Sequence, residues 1–296
     1  MEIVVLRCFA WQFNFDFHLI LLVVIWALGW AMITLAVLVY LPIRAIAAFS
    51  VIVIVTHNLL DTIPLGAFGK LLPLFLIFHS PGLLWQGPQH AIFVAYPLIP
   101  WVGVTSLGFC LGRVFSWEAG RRQTFLLRLG LGMCAAFVIL RGVNYYGDPA
   151  PWSHQSSGLF TVLSFLNTIK YPPSLLFLLM TLGPAMLLLG AFERWPSRVF
   201  RPLLRYGRVP LFYYFLHVVL IHCLAVAICC GRYGHVYWMF QSPDPGNYPV
   251  TPPPGWGFGL PTIYLLWVIV VMVLYPMCCW FAALKQRRRD AWLSYI

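Results

Sequence analysis

Apolar residues run through this chain in blocks of about twenty, the length a helix needs to cross the hydrocarbon core of a bilayer. Short polar stretches separate the blocks. The pattern predicts seven spans, at about 17–40, 43–60, 91–112, 122–140, 174–192, 209–230 and 262–284. A further apolar stretch, 65–85, is broken by Pro73 and by His79-Ser80-Pro81-Gly82. It reads as a re-entrant or interfacial segment, tolerable only where protein covers its backbone or it lines a wet cavity. The expected fold is all-α: a polytopic transmembrane helical bundle, with residues 1–296 as one domain.

Local signals refine this outline. A short helix is expected at about 158–169, stopped by Tyr171-Pro172-Pro173, with Ser174 as the N-cap of the fifth span. Gly183-Pro184 should kink that span or let another helix approach closely. Segment 241–261 is too rich in proline for regular structure and is either a lid or a rigid linker. Residues 3–11 look like the tail of a helix. The opening of the chain has no secretory-signal pattern, because the apolar run that follows is too long and lacks a small-residue exit.

Composition agrees with the pattern. Hydrophobic residues make up 61% of the chain and charged ones 9%, against roughly a quarter charged in soluble domains. A net charge of +11 would suit nucleic acid, but its placement points to a membrane. All of the nineteen Lys and Arg residues except Arg7, Lys70, Arg141, Lys170 and Arg232 fall on one side of the predicted spans. The positive-inside rule then puts loops 113–121 and 193–208 and the C-terminus in the cytoplasm. An odd number of spans leaves the N-terminus of the chain outside, in the periplasm of a cell with an inner membrane. The basic loops would meet anionic headgroups or an anionic cofactor such as a coenzyme A nucleotide. No nucleic-acid module is present. The eight cysteines have no CxxC or metal-like spacing and read as small buried hydrophobes.

Candidate chemistry gathers on the opposite side, where His18, His57, His79, His90, His154 and His235 occur with Asp16, Asp61, Asp148 and Asp244. His57 and Asp61 are four apart with Asn58 between them. On an α-helix they would share a face, so the carboxylate could orient a general base. The alternative is a pair anchoring a helix end at the interface. His79 lies on the expected break, as a site residue or a turn residue. Residues 208–222 form an apolar run that carries Tyr213, His217 and His222. Ionisable groups at membrane depth usually face a protein interior or a wet cavity. They line a polar passage or bond neighbouring helices. Arg205 and Arg208 stand at its basic end. Paired carboxylates, a GxSxG elbow, a phosphate-cradling glycine loop and HExxH are absent from the sequence.

Several segments carry a resemblance. They are WQFNFDFH at 11–18, HNLLD at 57–61, KYPPSLLFLLMTLGPAMLLLGAFER at 170–194, GRVPLFYYFLHVVLIH at 207–222, PPPGWGFGLP at 252–261 and WFAALKQRRRDAWLSYI at 280–296. Through them the chain resembles bacterial membrane proteins related to the catalytic region of heparan-alpha-glucosaminide N-acetyltransferase. The resemblance implies a multi-pass inner-membrane acyltransferase that moves an acetyl group from cytosolic acetyl-CoA to a sugar amine or hydroxyl on the far side. On that reading His57 and Asp61 are the expected catalytic pair near the acceptor, and Asn58 and His79 the expected substrate-binding residues beside them. Tyr213, His217 and His222 would line the passage, and Arg205 and Arg208 would meet the nucleotide. Acetyl-CoA would act as acyl donor rather than as a tightly bound cofactor. The expected partners are the lipid bilayer, the donor and a carbohydrate acceptor, with a homo-oligomer compatible. Members of that family open with further spans holding an Asp-x-x-Arg-Gly-like entry and a histidine beyond it. That histidine has no counterpart here, so the expectation is a chain shortened at its N-terminus. Rival expectations are a transporter or flippase-like protein, whose intramembrane histidines would relay protons or bind substrate, and an inactive remnant.

Overall fold

The computed structural model describes residues 2–11, 17–194, 200–239, 255–288, 290 and 293. Its architecture is helical, with one small sheet. The chain forms two compact units: residues 21–86 with 92–195, and residues 1–20 with 87–91 and 196–296.

The unit centred on residues 21–195 contains α1 (Val24–Leu38), α2 (Ile43–Thr56), α3 (Leu72–Phe78), α4 (Leu98–Gly112), α5 (Ala119–Val143), α6 (Gly158–Leu166) and α7 (Leu175–Phe192). Strands β1 (Leu19–Leu22), β2 (Gly82–Gln86) and β3 (Ala91–Val94) form a sheet in the order β1-β3-β2. Here α4 packs against both α1 and α2, while α5 runs along α7. The α5–α7 contact depends on glycine. A Cβ on Gly130 would lie 2.8 Å from the Leu187 nitrogen and 2.9 Å from the Gly183 carbonyl oxygen. A Cβ on Gly183 would lie 2.9 Å from Cys134 Sγ. Small residues let helix backbones approach closely, which is how helices associate in lipid. Of the two roles expected for Gly183-Pro184, close approach is the one this contact displays.

The other unit contains α8 (Arg201–Gly207), α9 (Pro210–Tyr233) and α10 (Leu260–Arg287), with an N-terminal helical segment, Glu2–Trp11, against α9. Its core is built from Val209, Cys278, Phe281, Ala282 and Leu293, with Tyr206, Phe212 and Tyr213 packed on it. The Tyr206 hydroxyl donates to the Val271 carbonyl, and burial pushes its phenol up to about 12, so it stays a donor.

Among the described residues six helices are long and apolar enough to cross a membrane. They fall at 43–62, 98–116, 119–143, 175–192, 210–233 and 260–287. The expected first span, 17–40, differs. Residues 19–22 join the sheet, leaving α1 with 15 residues, or about 22 Å at 1.5 Å per residue, against a core of about 30 Å. The expected interfacial segment becomes a short 3₁₀ turn, Leu65–Leu71, a kink at Gly69, helix α3 and then β2. Pro73 starts α3 rather than breaking it, since a proline in the first turn costs no hydrogen bond. The short helix is Gly158–Leu166, and Ser174 caps α7 by accepting from the Phe177 N–H at 3.0 Å. Most of the proline-rich stretch, 240–254, and Asp16 lie outside the described residues.

Candidate functional site

Helix α2 ends at Thr56, and the chain tightens into a 3₁₀ turn over His57–Thr62. With three residues per turn, side chains three apart are stacked. Asn58 therefore meets Asp61: its Nδ2 donates to Asp61 Oδ2 at 2.7 Å. The α-helical spacing that would have joined His57 to Asp61 is absent. The other carboxylate oxygen, Oδ1, accepts from His79 Nε2 at 2.7 Å. His79 is the residue that ends α3, where Pro81 and Gly82 turn the chain into β2. A carboxylate only accepts, so Nε2 carries the hydrogen and the neutral His79 ring keeps its lone pair on Nδ1. His79 is 2% exposed, and its Nδ1 is buried with no hydrogen-bond partner. Phe75 lies against the ring at 5.3 Å and His57 edge-on at 6.1 Å. The Asp61 side chain keeps 18% of its surface exposed.

His57 does different work. Its Nδ1 lies 2.9 Å from the Ile54 carbonyl and its Nε2 3.1 Å from the Pro173 carbonyl. Carbonyls only accept, so both contacts are hydrogen bonds at once only in the doubly protonated ring. Neither nitrogen faces a group from which it could take a proton. His57 joins the end of α2 to the start of α7.

The start of α7 is held by several groups. Asn58 Oδ1 accepts from the Leu175 N–H at 2.8 Å, Gly147 O from Leu176 at 2.9 Å, and Ser174 Oγ from Phe177. Ser174 in turn donates to Asp148 Oδ2 at 2.7 Å, which also accepts from the Ile169 N–H. These contacts satisfy first-turn donors that a helix leaves open, and a carboxylate near this end suits the helix dipole. Arg141, 1% exposed, donates to the carbonyls of Ala150, Ser164, Phe165 and Asn167. It stands 3.9 Å from Asp148 Oδ1. The Tyr146 hydroxyl donates to the Val55 carbonyl, one turn before the site. Burial, and then the nearby Asp61 carboxylate, push its phenol above the usual range, so it stays neutral.

Four residues singled out in the sequence thus meet in one cluster: His57, Asn58, Asp61 and His79. Arg141 and Asp148 were not singled out as site residues. The available signal was an arginine ending an apolar run, with an aspartate seven positions on. Tyr213, His217, His222, Arg205 and Arg208 belong to the other unit. There the Tyr213 and His217 rings stack at 5.1 Å, as their spacing predicts. His217 Nδ1 donates to the Tyr213 carbonyl at 3.1 Å, and His222 is buried. Arg205 is half-buried and Arg208 exposed at the end of α8. Neither has a carboxylate partner among the described residues.

In class this is a multi-pass membrane protein built from apolar helices. Compared with known proteins, the chain matches no family model, no curated protein and no solved structure.

Proposed function

We propose that this chain is a membrane-bound acyltransferase in which His79, held by Asp61, is the general base. One observation carries the reading: a histidine whose one ring nitrogen donates to a carboxylate at 2.7 Å while the other is buried with no partner. A base needs this arrangement, with a fixed tautomer and a lone pair held ready. The resemblance of the sequence to the acetyltransferase family supports the same class.

The acceptor's amine or hydroxyl attacks the carbonyl carbon of an acyl thioester, acetyl-CoA in the simplest case. His79 Nδ1 takes the acceptor's proton as the new C–N or C–O bond forms. The C–S bond then breaks, and the thiolate leaves and takes up that proton as CoA-SH. Asp61 stabilises the imidazolium that forms in between. Asn58 keeps the carboxylate aimed, and His57 positions the turn from which both project. Arg205 and Arg208, in the other unit, carry charge of the sign that a donor's phosphates need. By the positive-inside rule the basic edges favour a cytoplasmic side for those arginines and the C-terminus, in an inner-membrane protein. The dyad then lies on the periplasmic side, with an amino sugar as acceptor.

The test uses membranes containing the protein, radiolabelled acetyl-CoA and glucosamine. His79→Gln and Asp61→Asn each lower transfer per folded molecule by about 10²–10⁴-fold. His57→Gln lowers transfer only as far as it lowers the amount of folded protein. Unchanged transfer by His79→Gln would exclude this base.

A further inference from the structure

The unit that carries His79 holds a partly open cavity of about 740 Å³, lined by Trp26 and Trp30 of α1, Phe49 and Val53 of α2, and Leu74 and Phe78 of α3. The first turn of α4 closes the wall. Its size falls among sites that take small molecules, about 300–1,000 Å³. The polar groups of the lining are the Thr34 hydroxyl, already donated to the Trp30 carbonyl at 2.9 Å, and the indole N–H groups of Trp26 and Trp30. The wall carries no charged side chain and is otherwise apolar. Trp30, Phe49, Leu74 and Phe78 stay exposed, and α2 and α4 are of membrane-crossing length and apolarity. Such a cavity takes up hydrocarbon.

Its position gives it a purpose. Phe49 and Val53 precede His57 on the α2 run by eight and four residues, about 12 and 6 Å along the axis. Phe78 lines the cavity and the next residue is His79. The cavity therefore lies at the end of the unit that carries the dyad. A chain lying in it would have its head near Asp61 and His79.

We propose, resting on the acyltransferase reading, that the acceptor is lipid-linked. The cavity holds its hydrocarbon chain and so presents its amine or hydroxyl to His79. This differs from casual occupancy by bulk lipid, because Phe78 of the cavity wall is followed directly by His79, the base.

The experiment uses the full chain in phosphatidylcholine nanodiscs, with methyl, octyl and dodecyl glucosaminides as acceptors for acetyl-CoA. The KM should fall at least about tenfold from methyl to dodecyl, as buried methylenes contribute. Thr34→Trp and Leu74→Trp, which narrow the cavity, should raise the dodecyl KM several-fold more than the methyl KM; equal effects on the two would overturn the proposal. A KM independent of chain length would overturn the proposal. A diazirine-bearing dodecyl glucosaminide should label peptides containing Trp30 and Phe78. Unlabelled dodecyl glucosaminide should compete with that labelling, and excess phosphatidylcholine should not. Equal competition by phosphatidylcholine, or no labelling, would reduce the cavity to a bulk-lipid contact. His79→Gln should abolish transfer and keep the labelling. Selective labelling of a wild-type protein that transfers nothing would sink the acyltransferase reading while leaving the lipid-linked ligand in place.

Discussion

Asp61 bonds His79 rather than His57 because the backbone after Thr56 tightens by a fraction of a residue per turn. The members of the cluster were legible in the sequence as polar residues in apolar surroundings; the pairing was not. An i,i+4 spacing says which side chains meet only once the helix type is known, and His79 arrives from eighteen residues away. Arg141 makes the matching point about burial. Its guanidinium organises the 144–174 segment through four main-chain carbonyls, an arrangement that no local pattern announces. Arg141→Met should cost about 3–5 kcal/mol, because it strips the partners from buried acceptors and from Asp148. Thermal unfolding in a mild detergent measures this. A loss below about 1 kcal/mol would mean that water replaces the guanidinium.

Helices α5 and α7 show what an element inherits from its residues. Gly130 brings the two backbones together midway. Near their ends Arg122 of α5 grips Glu193 with two hydrogen bonds of 2.6 Å. Both charges are four-fifths covered. Replacing Gly130 with Leu should destabilise by about 1–3 kcal/mol or separate the helices, since its Cβ meets main chain rather than a yielding side chain. Unchanged unfolding of that variant would show the contact to be loose. The Arg122 hydrogen bonds hold the Glu193 carboxyl below the usual carboxylate range. Its stabilisation is therefore full above the unfolded carboxyl value and fades as pH falls through the lower folded one. Acidification from about pH 5 to pH 3 should lower the melting temperature of the wild type more than that of Glu193→Gln. Equal drops would mean that the pair contributes nothing to folding. The glycines were readable as small residues in spans, and Gly183 was flagged. The Arg122–Glu193 bridge was not, because the partners are 71 residues apart.

For the whole molecule, length and hydropathy made the membrane class legible, since a bilayer admits few backbone solutions. They did not show α1 to be short, because an apolar strand entering a sheet reads like the start of a span. Nor did they reveal the division into two units, which depends on contacts far apart in the chain. The functional account asks for one vectorial event: an acyl group leaves a donor on the basic side and reaches an acceptor beside His79 on the other. Sealed proteoliposomes test it, with labelled acetyl-CoA trapped inside and an alkyl glucosaminide outside. The account predicts acetylated sugar outside while the vesicles stay intact, and none from His79→Gln. Product that appears only after a pore lets donor and acceptor share one side would contradict it.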